Sequence, residues 1–111
     1  MKVKVIDYTQ NYQKYYDLTV GNTYRVLGIE ADDIRIMSDI GRPWLYPRSL
    51  FEVVDDTLPS DWVTEYGEEG EFYASPSALN SRGFWEGYFE HENDKKITLA
   101  VYLQSWLRGE Y

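Results

Sequence analysis

Apolar and polar residues alternate in the first half of the chain in a way that predicts consecutive short β-strands. Segment 23–29 is rich in β-branched and aromatic residues, and segments 34–37, 44–46 and 49–54 follow it with turn residues between them. Residues 3–5 also alternate, with both valines on one face. Strands that recur about every 8–12 residues are typical of a small β-barrel.

The second half of the chain changes to a helical pattern. Four apolar residues are spaced i, i+3, i+4 and i+7, which predicts a helix over 93–108 whose apolar stripe packs on the barrel. They are Leu99, Tyr102, Leu103 and Trp106. We expect Asn93 to cap this helix. Segment 75–79 begins with Ser-Pro, which is typical of a capped short helix, and the aromatic segment 83–89 predicts another.

These elements together predict a mainly β protein with C-terminal helices, of the α+β class. A chain of 111 residues can bury a core without disulfides or metal, so we expect a single domain at 1–111. Within it we expect a barrel portion at 1–56, an acidic and aromatic connection with short helices at 57–92, and the C-terminal helix at 93–108.

Residues 17–53 carry features in an order that resembles SH3-like barrels. The turn residue Gly21 precedes a Tyr-x-Val-Leu strand, two further strands meet at 39–41, and residues 46–51 are Tyr-Pro-Arg-Ser-Leu-Phe. The resemblance implies a small SH3-like barrel. SH3 domains that bind proline-rich peptides have a Trp at the start of their second long strand. This chain has Ile34-Arg35-Ile36 there, which argues against a groove for PxxP peptides.

The net charge of −8 comes almost entirely from one stretch of the chain. Between Glu52 and Glu71 there are eight acidic residues and no Lys or Arg. Such a block projects a negative field that repels nucleic acid and attracts basic surfaces. Two interpretations stay open: a solvated loop that keeps the protein in solution, or a docking surface for a cationic partner.

Aromatic residues interleave these acids and favour the docking interpretation, because Trp and Tyr are common interface anchors. Trp62 has a second interpretation, since it can pack on the sheet instead. The partner predicted from this stretch is a basic protein. The predicted partner-binding residues are Asp55, Asp56, Asp61, Trp62, Glu65, Tyr66, Glu68, Glu69, Glu71 and Tyr73.

Residue types that carry catalysis are sparse. The chain has no Cys, which excludes disulfides, Cys-ligated zinc and thiol catalysis. Its one histidine, His91, lies between two glutamates and is expected on the surface, and no Ser has a His/Asp context. EF-hand spacing and a Gly-rich phosphate loop are also missing. We expect no enzyme activity, no metal and no cofactor, and the lack of a long apolar run predicts a cytoplasmic protein.

The chain as a whole resembles the small single-domain immunity proteins of bacterial polymorphic or contact-dependent toxin systems. The shared features are short length, concentrated acid, a predicted barrel followed by helices, and a Gly-Phe-Trp-Glu-x-Tyr-Phe segment at 83–89. The resemblance implies binding to a cognate toxin, often a basic nuclease, at its active site or an adjacent surface. The alternative is an SH3-like adaptor that binds a peptide through Tyr8, Tyr12, Tyr15, Tyr16, Trp44 and Tyr46.

Overall fold

The residues that the structure describes fold as an antiparallel sheet of seven strands followed by two helices, which confirms a mainly β protein with C-terminal helices. A computed structural model describes residues 1–6 and 15–109. The strands are β1 (Lys2–Val5), β2 (Thr23–Glu30), β3 (Asp33–Met37), β4 (Pro43–Pro47), β5 (Phe51–Asp55), β6 (Trp62–Tyr66) and β7 (Phe72–Pro76). The helices are α1 (Phe84–Phe89) and α2 (Asn93–Leu107), and 3₁₀ turns span Arg48–Leu50 and Ser77–Leu79. Within the described ranges, the helices are too short or too polar to cross a membrane.

The long strand β2 organises the sheet because it pairs with three neighbours. β3 runs antiparallel along one side of β2. On the other side, β1 pairs with the first half of β2, and β7 pairs with Ile29 and Glu30 near its end. β4 then adds to β3, β5 to β1 and β6 to β7, so the sheet branches at β2. In the described part of the chain β4 and β5 do not pair with each other, so the predicted closed SH3-like barrel is not confirmed.

An irregularity in β2 gives the protein two hydrophobic cores. Side chains of a regular strand alternate between faces, so Val26 and Ile29 would point to opposite sides of the sheet. The pairing with β3 shifts register between Val26 and Gly28, and this bulge places Val26 and Ile29 in the same core. Leu27 points to the other face and packs in a second core under the helices.

The two cores contain most of the residues that the hydrophobic pattern predicted. Ile34 and Ile36 are fully buried in the main core, as expected from their alternation. Leu99 and Tyr102 are buried in the helix core against Leu27, which confirms that the stripe of α2 packs on the sheet. The main core consists of Val3, Val5, Leu18, Val26, Ile29, Ile34, Ile36, Tyr46, Leu50, Phe51 and Ala74.

The predicted elements occur close to their expected bounds, but both predicted helix caps were wrong. Glu92 precedes α2 and no side chain caps that helix, so Asn93 lies inside it. The short helix expected at 75–79 is the 3₁₀ turn Ser77–Leu79, which follows Pro76 and also lacks a side-chain cap. Ser75 instead donates a hydrogen bond from Oγ to Asn80 Oδ1 at 2.8 Å.

Candidate partner-binding surface

The segment expected to be an acidic connection folds into the hairpin β6–β7. Its register is regular over five residue pairs, from Trp62 opposite Pro76 to Tyr66 opposite Phe72. The turn is closed by a hydrogen bond from the Gly67 N–H to the Glu71 carbonyl oxygen at 2.8 Å. Gly70 in this turn has φ +84°, a conformation that glycine adopts without the steric cost of a side chain. The hairpin therefore holds its acidic residues on a defined turn.

Most of the predicted acids lie at the turn end of this hairpin. Glu65 is exposed on β6, Glu68 and Glu69 are exposed in the turn, and Glu71 is half-buried. The Glu71 carboxylate accepts a hydrogen bond from the backbone N–H of Glu69 at 3.1 Å. We call Glu65, Glu68, Glu69 and Glu71 the acidic tip.

Local cations do not neutralise the acidic tip. The ion pairs in the described residues join Arg35 to Glu30 and Lys95 to Asp94. Across those same residues, no acid between Glu52 and Glu71 has a cationic nitrogen within 4.0 Å. The negative field of this stretch is thus available to a partner.

Asp55 and Asp56 lie away from the acidic tip, at the end of β5. Both are exposed, and Asp55 pairs across the sheet with Lys2. The Asp55 carboxylate also accepts a hydrogen bond from the Thr57 N–H at 3.0 Å, and this bond lowers the pKa of Asp55. Asp55 therefore has local contacts that favour its ionised form, whereas Asp56 is an exposed acid that follows β5.

Asp61 and Trp62 form the opposite, inner end of the hairpin. Both are half-buried, and Trp62 packs against the main core. The Asp61 carbonyl oxygen accepts a hydrogen bond from the Ser77 N–H at 3.0 Å, which joins the hairpin to the following turn. These contacts favour the packing interpretation of Trp62, whose role is to fix the hairpin on the sheet.

The two predicted tyrosines differ in their availability. Tyr66 is 73% exposed, and its ring centroid lies 5.3 Å from that of Phe72. Tyr73 is half-buried and pairs across the hairpin with Glu65. Tyr66 is therefore the more exposed of the two tyrosines, and it lies next to the acidic tip.

A cavity beside the hairpin contains a buried arginine that the sequence pattern did not reveal. The cavity has a volume of about 230 Å³, and its wall includes Glu30, Arg35, Glu65, Tyr73, Trp85 and Glu86. The Arg35 side chain donates from Nη2 and Nε to Glu30 Oε2 at 2.7 and 3.2 Å. It donates from Nη1 to the Pro43 carbonyl oxygen at 2.7 Å, and its guanidinium lies 4.3 Å from the Trp85 ring centroid.

The environment of Arg35 explains why it was missed. Its alternation with Ile34 and Ile36 places it on the outer face of β3, where an arginine is normally solvated. Helix α1 covers that face, so Arg35 is only 5% exposed, and this burial lowers its pKa although Glu30 opposes the shift. In the sequence, the aromatic segment 83–89, which contains Trp85 and Glu86, is what indicates that a helix covers this face of β3.

The residues predicted for a peptide-binding surface are only partly exposed. Tyr46 is 2% exposed and belongs to the main core, and its hydroxyl donates to Asp17, so little of its surface is available to a peptide although it lines the same hollow as Trp44. Trp44 is 40% exposed and lines a hollow of about 520 Å³ with Phe89. Of the other predicted residues, Tyr15 lines this hollow, Tyr16 is exposed, and Tyr8 and Tyr12 lie outside the described residues.

Groups able to hold a metal do not converge in the part of the chain that the structure describes. No three His, Cys, Asp or Glu residues in that part are grouped as metal ligands. His91 is exposed between α1 and α2, where it has φ +65°. The chain was compared with protein-family models, curated proteins and solved structures, and none of them matches.

Proposed function

We propose that this protein is a non-enzymatic, cytoplasmic binding protein that neutralises a basic protein partner. We further propose that it is an immunity protein whose partner is a cognate bacterial toxin, such as a basic nuclease. The observation that supports this best is the acidic tip, which lies at the end of a regular hairpin, exposes Glu65, Glu68 and Glu69, and is not paired with cations of the described chain. A cationic partner would supply the positive charge that the described part of the protein does not place beside the acidic tip.

The mechanism that this arrangement supports is steric occlusion with electrostatic steering. The acids accelerate encounter with a basic surface, and Tyr66 provides an aromatic anchor beside them. Once bound, the protein covers part of the toxin's surface and excludes the toxin's substrate. Because exposed charges are screened by salt, association slows as the ionic strength rises.

The test is capture of the partner with the tagged full-length protein, followed by measurement of its association rate. The wild type is compared with a variant that combines Glu65→Gln, Glu68→Gln and Glu69→Gln, which keeps side-chain size but removes three charges. We expect one stoichiometric basic protein whose association slows at least about tenfold in the variant or in about 500 mM salt. Association that is unchanged by both treatments contradicts the proposal.

The second candidate function is an SH3-like adaptor. The strand order β4-β3-β2-β1-β5 and the 3₁₀ turn before β5 support an SH3-like arrangement of the first half of the chain. The hollow beside Trp44 and Phe89 is the surface that favours peptide binding. A Trp44→Ala variant separates the two functions, because it abolishes binding by the adaptor and spares binding by the inhibitor.

A further inference from the structure

Strand β6 forms an outer edge of the sheet with its main chain open to another strand. Within the described residues β6 pairs only with β7. Its last four residues are all exposed, a run that no other described strand has. An exposed edge of this kind is a template for strand addition.

The register of the hairpin identifies which main-chain groups face outward. The Gly67 N–H bonds to the Glu71 carbonyl, and the Ser77 N–H bonds to the Asp61 carbonyl. Hydrogen-bonded pairs alternate in an antiparallel ladder, so Val63 and Glu65 direct their main-chain groups to β7. Thr64 and Tyr66 therefore direct theirs to the outer edge. The outward N–H of Trp62 is already used, since it donates to the Pro59 carbonyl oxygen at 3.1 Å.

The other two outer strands carry main-chain features that discourage pairing, and β6 lacks these features. β4 begins with Pro43 and ends with Pro47, and proline cannot donate a ladder hydrogen bond. The pairing of β5 with β1 contains a register shift, which disrupts a regular edge. β6 has no proline and no register shift along its five pairs.

Charge decides what can occupy this edge. Glu65 lies in β6, and Glu68 and Glu69 follow it in the turn, all exposed. A second copy of the chain brings the same acids to the edge and is repelled. A basic segment is attracted, and an antiparallel one places a side chain directly opposite Glu65 at a non-hydrogen-bonded pair, where cross-strand side chains lie closest.

We propose that the β6 edge binds an extended, basic segment of the partner protein as an added strand. This inference rests on the proposed function, because it names the way in which the basic partner engages the acidic tip. The outward groups of Thr64 and Tyr66 supply the main-chain hydrogen bonds, and Glu65, Glu68 and Glu69 select for basic side chains. A segment of about five residues, or roughly 17 Å, covers the edge.

The probe for this inference is a blocked peptide of about seven alternating threonine and lysine residues, with glutamate replacing lysine in the control peptide. Hydrogen exchange of the full-length protein is measured by NMR with each peptide at about 1 mM. We expect the basic peptide to slow exchange of the Thr64 and Tyr66 amides at least about tenfold, and the acidic peptide to have no effect. Unchanged exchange at both amides overturns the inference.

Substitutions at Thr64 separate strand addition from simple charge attraction. Thr64→Pro removes an outward main-chain N–H without touching the ladder to β7. Thr64→Val keeps that N–H and has a side chain of the same shape as threonine. We expect Thr64→Pro to bind the basic peptide at least about tenfold more weakly than Thr64→Val does. One outcome separates the two proposals: the two Thr64 variants bind the basic peptide equally, and Glu65→Gln, Glu68→Gln and Glu69→Gln together weaken its binding. The strand inference then fails and the proposed function stands. If the peptide pairs with the edge but the glutamine substitutions have no effect, the requirement for a basic partner fails.

Discussion

Arg35 joins three parts of the molecule through one buried side chain. Its guanidinium bonds to Glu30 at the end of β2 and to the Pro43 carbonyl at the start of β4, and it stacks on Trp85 of α1. A buried charge costs free energy unless it is paired and hydrogen-bonded, and these contacts provide the compensation. The aliphatic part of the side chain also fills space between β3 and α1.

We expect Arg35→Ala to lower the free energy of unfolding by about 2–3 kcal/mol, because it removes charged hydrogen bonds and packing together. The loss stays below that of a fully buried pair, since the Glu30 side chain is 40% exposed and can be hydrated. Urea unfolding measures the change. Arg42→Ala, at an exposed position of the next turn, is the control and should cost less than about 0.5 kcal/mol. Equal costs for the two variants contradict this role of Arg35.

Tyr46 makes the stability of the fold sensitive to alkaline pH. Burial, together with the hydrogen bond to Asp17, raises the pKa of Tyr46 far above its ordinary value. Burial also raises the pKa of Tyr24 and Tyr102. In the unfolded chain these phenols ionise near pH 10, so the folded state retains protons that the unfolded state releases. Stability is therefore complete below about pH 10 and is lost as the pH rises above it.

We expect Tyr46→Phe to reduce this alkaline loss. The substitution costs about 1 kcal/mol at neutral pH through the hydrogen bond to Asp17, but it removes up to about 1.4 kcal/mol of loss per pH unit above pH 10. Unfolding by urea at several pH values between about 8 and 11 measures the slope. Tyr66→Phe, at a position 73% exposed, is the control and should retain the wild-type slope. If the free energy of unfolding of Tyr46→Phe falls with pH as steeply as that of the wild type, Tyr46 is not the source of the alkaline loss.

At the scale of elements, the sequence predicted β2 to β5 and α2 because each has one dominant periodicity. It did not predict the β6–β7 hairpin, although segment 63–66 is rich in strand formers and a Gly-Glu-Glu-Gly turn follows it. The acids in this stretch suggested a solvated loop, whereas exposed edge strands tolerate polar residues on both faces. The bulge at Leu27 and the cover that α1 places on Arg35 depend on contacts between distant segments, so no local pattern reveals them.

Helix α2 should be stabilised by its buried stripe alone. Leu99 is 3% exposed in the helix core, and Ile97 on the same helix is 62% exposed. We expect Leu99→Ala to cost about 3 kcal/mol, because it leaves a cavity between α2, Leu27 and Phe84. Ile97→Ala removes the same number of carbon atoms from the same helix, but at an exposed position, and should cost less than about 1 kcal/mol. Urea unfolding compares them, and similar costs would show that α2 does not pack as described.

At the scale of the whole molecule, charge is separated along the chain. Residues 1–50 are nearly balanced, with seven bases and six acids, whereas residues 51–94 contain twelve acids and one base. Ion pairs in the described residues engage only Glu30 and Asp94 among the acids. A folded chain holds the unpaired acids closer together than an unfolded one, so their repulsion opposes folding. Under the proposed function, this stability cost is the counterpart of a surface that binds a cationic partner.

We therefore expect salt to stabilise the protein in the absence of a partner. Raising sodium chloride from about 20 to 500 mM shortens the screening length from roughly 20 Å to about 4 Å and weakens repulsion among exposed acids. The free energy of unfolding should rise, and this gain should shrink when Glu68→Gln and Glu69→Gln are combined. The control combines Asp32→Asn with Asp33→Asn, which removes the same charge beside Arg48. Because Arg48 partly offsets these two acids, the control should keep more of the gain than the glutamine variant. Stability that falls with salt, or an equal gain in all three proteins, would mean that the acidic tip does not oppose folding.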